Sequence, residues 1–131
     1  MFLGTYQPNL IGKGRIALPK KIRREVTTDR VILTIGFEKC IFGFEEKAWV
    51  QVTEADLARP LSDELGRNLR RKMFSQAQVI NLDSQGRLVI PQELMIYADI
   101  KDNLVIIGAG DHFEIWNQNL WTEYQKKLDK I

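Results

Sequence analysis

Lys13 and Arg15 flank Gly14 in the stretch Ile11-Gly12-Lys13-Gly14-Arg15, which puts two cations on a glycine-rich turn. Glycines let the chain turn tightly and leave little around the side chains that project from it. Such a cation suits phosphate contact or, for arginine, bidentate recognition of guanine. The same point recurs downstream as Asp83-Ser84-Gln85-Gly86-Arg87. There a carboxylate and a guanidinium four residues apart could brace the turn. Lys20, Lys21, Arg23 and Arg24 follow the first loop and crowd one short helix, with Ile22 and Val26 free to face a core. Taken alone, these charges could equally be solvated turn and helix faces.

Charge is unevenly spread. Net charge is only +2, yet residues 1–30 balance to +5, residues 31–72 to zero and residues 73–131 to −3. A basic first part beside an acidic second part suggests that one contacts a polyanion while the other completes the fold. Another basic run, Arg67, Arg70, Arg71 and Lys72, could touch nucleic acid or pair with acidic residues of a neighbouring subunit, and the second use is favoured.

Enzymatic readings find little material. Gly12-Lys13-Gly14 lacks the spacing of a phosphate-binding P-loop, and no nucleophile elbow or H-E-x-x-H helix is present. One histidine and one cysteine are thin material for a metal site, so no catalytic residue, metal or cofactor is expected. Cys40 and His112 do occupy equivalent places in the pattern described next, and their structural use is favoured over a nucleophile and its base.

The elements that hold these loops come in two copies. Gly14-Arg15-Ile16-Ala17-Leu18-Pro19 returns 72 positions later as Gly86-Arg87-Leu88-Val89-Ile90-Pro91. The same offset relates Phe2 to Phe74, Asn9-Leu10 to Asn81-Leu82, Ile35-Gly36 to Ile107-Gly108 and Trp49 to Trp121. Two copies are too few for a solenoid, so two half-size units should pack on each other about a pseudo-two-fold axis. At 131 residues the chain is one domain's worth, and neither half should fold alone. With 44% apolar and 27% charged residues the composition is that of a globular protein. The apolar runs are far too short for a membrane span, and no basic-then-apolar leader opens the sequence. A single cysteine fits a reducing cytoplasm.

Periodicity and punctuation place strands at Gly4–Leu10 (weakened by Pro8), Arg15–Leu18, Val31–Ile35 and Ile41–Glu45, with a short helix over Lys20–Val26. Helices follow at Lys47–Leu57, with Trp49, Val52 and Leu57 near one face, and at Glu64–Phe74, with Asp63 as a possible N-cap. The second copy repeats the plan: strands at Gln78–Leu82, after the Asp83–Gly86 turn, at Asn103–Ile107 and at His112–Trp116. Its helices are Gln92–Ala98 and Asn119–Lys130. Trp121, Tyr124 and Leu128 line the last helix, for core packing or, less favoured, subunit contact.

Met1-Phe2-Leu3-Gly4, Leu10-x-x-Lys13-Gly14-Arg15-x-x-x-Pro19, Asp83-x-x-Gly86-Arg87-x-x-x-Pro91, Tyr97-Ala98 and Phe113-Glu114-Ile115-Trp116 together resemble the bacterial MraZ family across essentially the whole chain. The resemblance implies a β-rich α+β fold: a duplicated AbrB-like swapped-hairpin β-barrel with short flanking helices in a single pseudo-two-fold domain. It divides the chain into SpoVT-AbrB-like repeats at 1–58 and 74–131 with a bridging helix at 59–73. It implies a transcriptional regulator that forms a homo-oligomeric ring, typically an octamer. Such a ring would bind direct repeats in double-stranded promoter DNA ahead of the division and cell-wall genes, its own gene among them. No membrane or small-molecule substrate is implied, and the place of action would be the cytoplasm, on the nucleoid.

The family pattern has Asp-x-x-x-Arg in both repeats, and the first copy departs from it with Ile11, which cannot brace Arg15 electrostatically. The expected DNA contacts are Lys13, Arg15, Lys20, Lys21, Arg23, Arg24 and Arg87, with Asp83 and Arg87 as the loop brace and bracing the favoured role of Arg87. Two other classes stay open: an antitoxin-like module, which would carry a long extended tail instead of the amphipathic helix seen here, and an adaptor with no DNA target of its own.

Overall fold

The computed structural model describes residues 1–131. The first repeat runs β1 (Thr5–Tyr6), β2 (Arg15–Ala17), α1 (Lys20–Arg23), β3 (Arg30–Ile35), β4 (Ile41–Glu45) and α2 (Glu46–Ala58). After α3 (Glu64–Gln76), the second runs β5 (Gln78–Asn81), β6 (Arg87–Val89), α4 (Gln92–Tyr97), β7 (Leu104–Gly108), β8 (Phe113–Asn117) and α5 (Gln118–Leu128). This is an α+β fold of antiparallel ladders and five helices. One ladder has six strands in the order β1-β7-β8-β4-β3-β5, and β2 and β6 form a separate ribbon.

The repeats exchange strands. β1 of the first repeat joins β7 of the second, and β5 of the second joins β3 of the first. The central pairings map onto themselves under the 72-residue offset. Ile16 faces Leu88 in the ribbon and Phe42 faces Glu114 between β4 and β8, each pair being one repeat position met twice. In β7 the match slips by one residue: Leu33 pairs with Gly43, but Ile115, the counterpart of Gly43, pairs with Ile106 and not with Val105. Gln78 pairs with Leu33, but its counterpart Tyr6 pairs with Ile106 and not with Val105. A one-residue slip turns a strand's side chains to the other face of a sheet, so Leu33 faces one core and its offset counterpart Val105 the other.

Alternation along the strands builds two cores. Val31, Leu33, Ile35, Ile41, Leu104, Ile106, Phe113 and Ile115 face inward, where Ile16 and Leu88 of the ribbon and Ile22 and Leu94 of α1 and α4 close over them. Phe42, Phe44, Val105, Ile107 and Trp116 point to the other face, with Met73 of α3 beside them and Trp49, Val52, Trp121 and Tyr124 of α2 and α5 packed against them. Both repeats contribute to both cores. Gly43 lets strands of the two halves approach closely, since a Cβ there would lie 2.3 Å from the Phe113 ring. No helix is long and apolar enough to cross a membrane.

Several expected elements change extent. The first strand shrinks from Gly4–Leu10 to Thr5–Tyr6, ahead of Pro8, which has no N–H to give a ladder. The helix of Lys20–Val26 ends at Arg23. Asp63 stands at the N-cap of α3 but makes no side-chain cap bond, because its carboxylate takes the Arg59 guanidinium at 2.6 Å. Leu57, expected near the packed face of α2, is 50% exposed.

Candidate nucleic-acid interface

The first loop closes through its backbone. The Ile11 N–H donates to the Arg15 carbonyl at 2.8 Å and the Arg15 N–H to the Ile11 carbonyl at 3.0 Å. Gly12 and Gly14 supply the left-handed angles, with φ of +57° and +98°. Lys13 sits exposed at the tip, and neither it nor Arg15 takes part in any ion pair. Met95 of α4 covers Gly14, and Lys101 lines the same cleft as Lys13.

The second loop is closed by a carboxylate as well. Asp83 accepts from the backbone N–H groups of Gln85 and Arg87, both at 2.9 Å, and from Arg87 Nε at 2.7 Å. The backbone N–H of Arg87, followed by its guanidinium, holds the Asp83 carboxyl below the usual range. Here Arg23 of α1 covers Gly86 as Met95 covers Gly14, and it donates to the Ser84 carbonyl at 3.0 Å. The antiparallel ribbon, which sets Ala17 opposite Arg87, thus brings the basic α1 beside the second loop, not the first. Lys20, Lys21 and Arg24 remain exposed and unpaired there, and the amino terminus takes Glu25, the nearest carboxylate in sequence, at 3.0 Å.

Both loops feed one surface. In the ribbon Arg15 pairs with Val89 and Ala17 with Arg87. Directly opposed residues of a ladder share a face, so Arg15, Ala17, Arg87 and Val89 lie outward while Ile16 and Leu88 are buried beneath them. Arg15 and Arg87 are a diagonal pair, about 7–8 Å apart at Cα. A two-stranded ribbon fits the major groove of DNA, and arginine is the side chain that most often reads guanine there.

Residues 1–72 match a family model described as "MraZ protein, putative antitoxin-like", and residues 73–131 match it a second time. The chain belongs to the MraZ family. It is 37% identical over 129 residues to the transcriptional regulator MraZ of Roseiflexus castenholzii, covering 98% of this chain and 90% of that one. Identity to the transcriptional regulator MraZ of Paenarthrobacter aurescens is 43% over 124 residues, covering 95% and 86%. The MraZ family is one of transcriptional regulators, not of enzymes.

In this MraZ-family chain the second basic run is engaged internally. Arg70 donates to the carbonyls of Leu57 at 2.7 Å and Arg59 at 2.9 Å, at the C-terminal end of α2 where a helix favours cations. Arg67 holds the Leu61 carbonyl at 2.8 Å, and Lys72 lies over the Phe37 ring. Cys40 and His112 do converge, on one carboxylate: the thiol donates to Glu114 Oε1 at 3.9 Å and His112 Nε2 lies 2.7 Å from Oε2. Trp116 Nε1 also donates to Oε1, at 2.8 Å. Burial pushes the thiol's pKa up, the reverse of what a nucleophile needs. No group of three or more His, Cys, Asp or Glu is placed to hold a metal ion.

Sequence reasoning did not find Lys101 beside Lys13, the outward Val89, or Glu114 as the meeting point of Cys40 and His112. Equivalent positions in the two copies pointed toward the last of these, while the first two depend on pairing and register.

Proposed function

We propose that the chain is a sequence-specific DNA-binding transcriptional regulator whose ribbon face enters the major groove of promoter DNA. One observation carries the reading. The same repeat position gives an arginine without any carboxylate partner at Arg15 and one tied to Asp83 at Arg87, both on one exposed ribbon. Arg15 reads base edges, Lys13 and Lys101 hold phosphate beside it, and Lys20, Lys21 and Arg24 extend the cationic track past the second loop. Arg23 and Arg87 reach DNA from positions fixed by Ser84 and Asp83.

The strand exchange between repeats supports reading the fold as a swapped-hairpin barrel, with units at 1–58 and 74–131 joined through 59–73. A single ribbon offers few contacts, so useful affinity comes from avidity: several copies in a homo-oligomeric ring, read as an octamer, engage successive direct repeats. The target is DNA ahead of the division and cell-wall genes, including this chain's own gene, and the site of action is the cytoplasm, on the nucleoid.

The test is binding of the purified protein to DNA from upstream of its own gene against scrambled DNA, across a salt series. Preference that persists at physiological salt supports the proposal. Equal, steeply salt-sensitive binding to both leaves only a basic surface, and no binding even at low salt favours an adaptor or antitoxin-like role.

A further inference from the structure

Arg15 is flanked on the ribbon face by two exposed branched apolar side chains. Ile11 opposes it across the loop's own bridge and Val89 opposes it across the ribbon. They are 59% and 48% exposed, and both line one shallow concavity with Gly12, Lys13 and Arg15. The second copy differs at both flanks: Arg87 stands between Asp83 and Ala17. Ile11 is not needed to close its turn, because the backbone bonds do so, and its side chain is left pointing outward beside the cations.

Resting on the proposed DNA-binding role of this ribbon, we infer that Ile11 and Val89 read the C5-methyl groups of thymines next to the base contacted by Arg15. Thymine is the one ordinary base that presents a methyl group in the major groove, and apolar side chains recognise it by contact. The flanking Lys13 and Arg15 supply the charge complementarity that brings a polyanion against an apolar pair. The first loop, lacking the carboxylate, exchanges an ionic brace for a base-reading side chain.

The experiment replaces single thymines by uracil in duplexes from upstream of the chain's own gene, which removes one methyl and leaves every hydrogen bond. At one or two positions the wild-type protein should lose about fourfold in affinity per methyl, the worth of one buried methyl-sized group. Ile11→Ala or Val89→Ala should bind the thymine and uracil duplexes alike at the matching position. Ile11→Asp, which rebuilds the second-copy brace, keeps the turn closed and should lose the methyl sensitivity too. Equal binding of thymine and uracil duplexes at every position, with preference over scrambled DNA intact, overturns the inference and leaves the regulator reading standing. A change in assembly mass for Ile11→Ala with the thymine–uracil difference unaltered would make the pair a protein contact and overturn it as well. Absence of any preference over scrambled DNA would remove the regulator reading, and this inference with it.

Discussion

The Arg23 guanidinium donates to the Ser84 carbonyl across 61 positions of sequence. One arginine of the basic helix is therefore a structural strut for the other repeat's loop, whereas its neighbours Lys20, Lys21 and Arg24 carry no partner.

Those neighbours should separate from Arg23 experimentally. Lys20→Ala, Lys21→Ala and Arg24→Ala should each weaken DNA binding and reduce the salt slope by about one, with melting temperature unchanged. Arg23→Ala should lower the melting temperature. Equal thermal behaviour of all four variants would remove the strut assignment.

Arg15→Ala should abolish site preference, a loss of about 1–3 kcal/mol of discrimination, without affecting fold or assembly. Lys13→Ala should weaken all DNA alike and make the salt slope shallower. Arg87→Ala should act mainly on stability, by releasing the Asp83 brace. Unchanged promoter binding by Arg15→Ala would sink its assignment as the reading side chain.

Glycine at the two loops differs in how replaceable it is. Both positions hold left-handed angles, φ +98° at Gly14 and +75° at Gly86, which cost other residues about 1–2 kcal/mol. At Gly14 a Cβ would also stand 2.9 Å from the Ile90 carbonyl oxygen, which is backbone and cannot easily give way. At Gly86 it would meet the flexible Arg23 side chain at 2.6 Å. Urea unfolding should therefore show Gly14→Ala to be the more damaging change, and the reverse order would contradict the packing described.

His112 makes stability depend on pH. Burial, at 18% side-chain exposure, pulls its pKa down, but hydrogen bonds and charge from Glu114 and Asp111 outweigh this and hold it above the ordinary value. A folded pKa above the unfolded value of about 6.5 gives stabilisation that is complete below that value and lost as pH rises through the folded one. Melting temperature should fall over that window, and His112→Gln should flatten the fall. A slope of the same size in the variant would assign the pH dependence to other groups.

Much of this architecture was legible in the residues. Runs rich in apolar residues marked β3 and β4, the shared 72-residue offset exposed both loops, and the four-residue spacing across the second turn pointed to the Asp83–Arg87 brace. Strand exchange was not readable in this way, because which hairpin β1 or β5 joins is a non-local choice that local propensity does not record. Adjacency in sequence pointed to α1 as the companion of the first loop, and the antiparallel pairing of β2 with β6 gave it to the second. The outward face of Val89 followed only from the ribbon register, since three alternating residues can be turned either way.

Phe42 and Glu114 are one repeat position facing itself across β4 and β8. Had two separate copies of the second half assembled in this manner, two glutamates would oppose each other at that point, an arrangement that like charge disfavours. Joining the halves in one polypeptide removed the obligation of self-complementarity. Once one copy held phenylalanine and the other a glutamate engaged by His112 and Trp116, the route back to a free-standing half became uphill. Duplication here works as a ratchet, and each later difference between the copies tightens it.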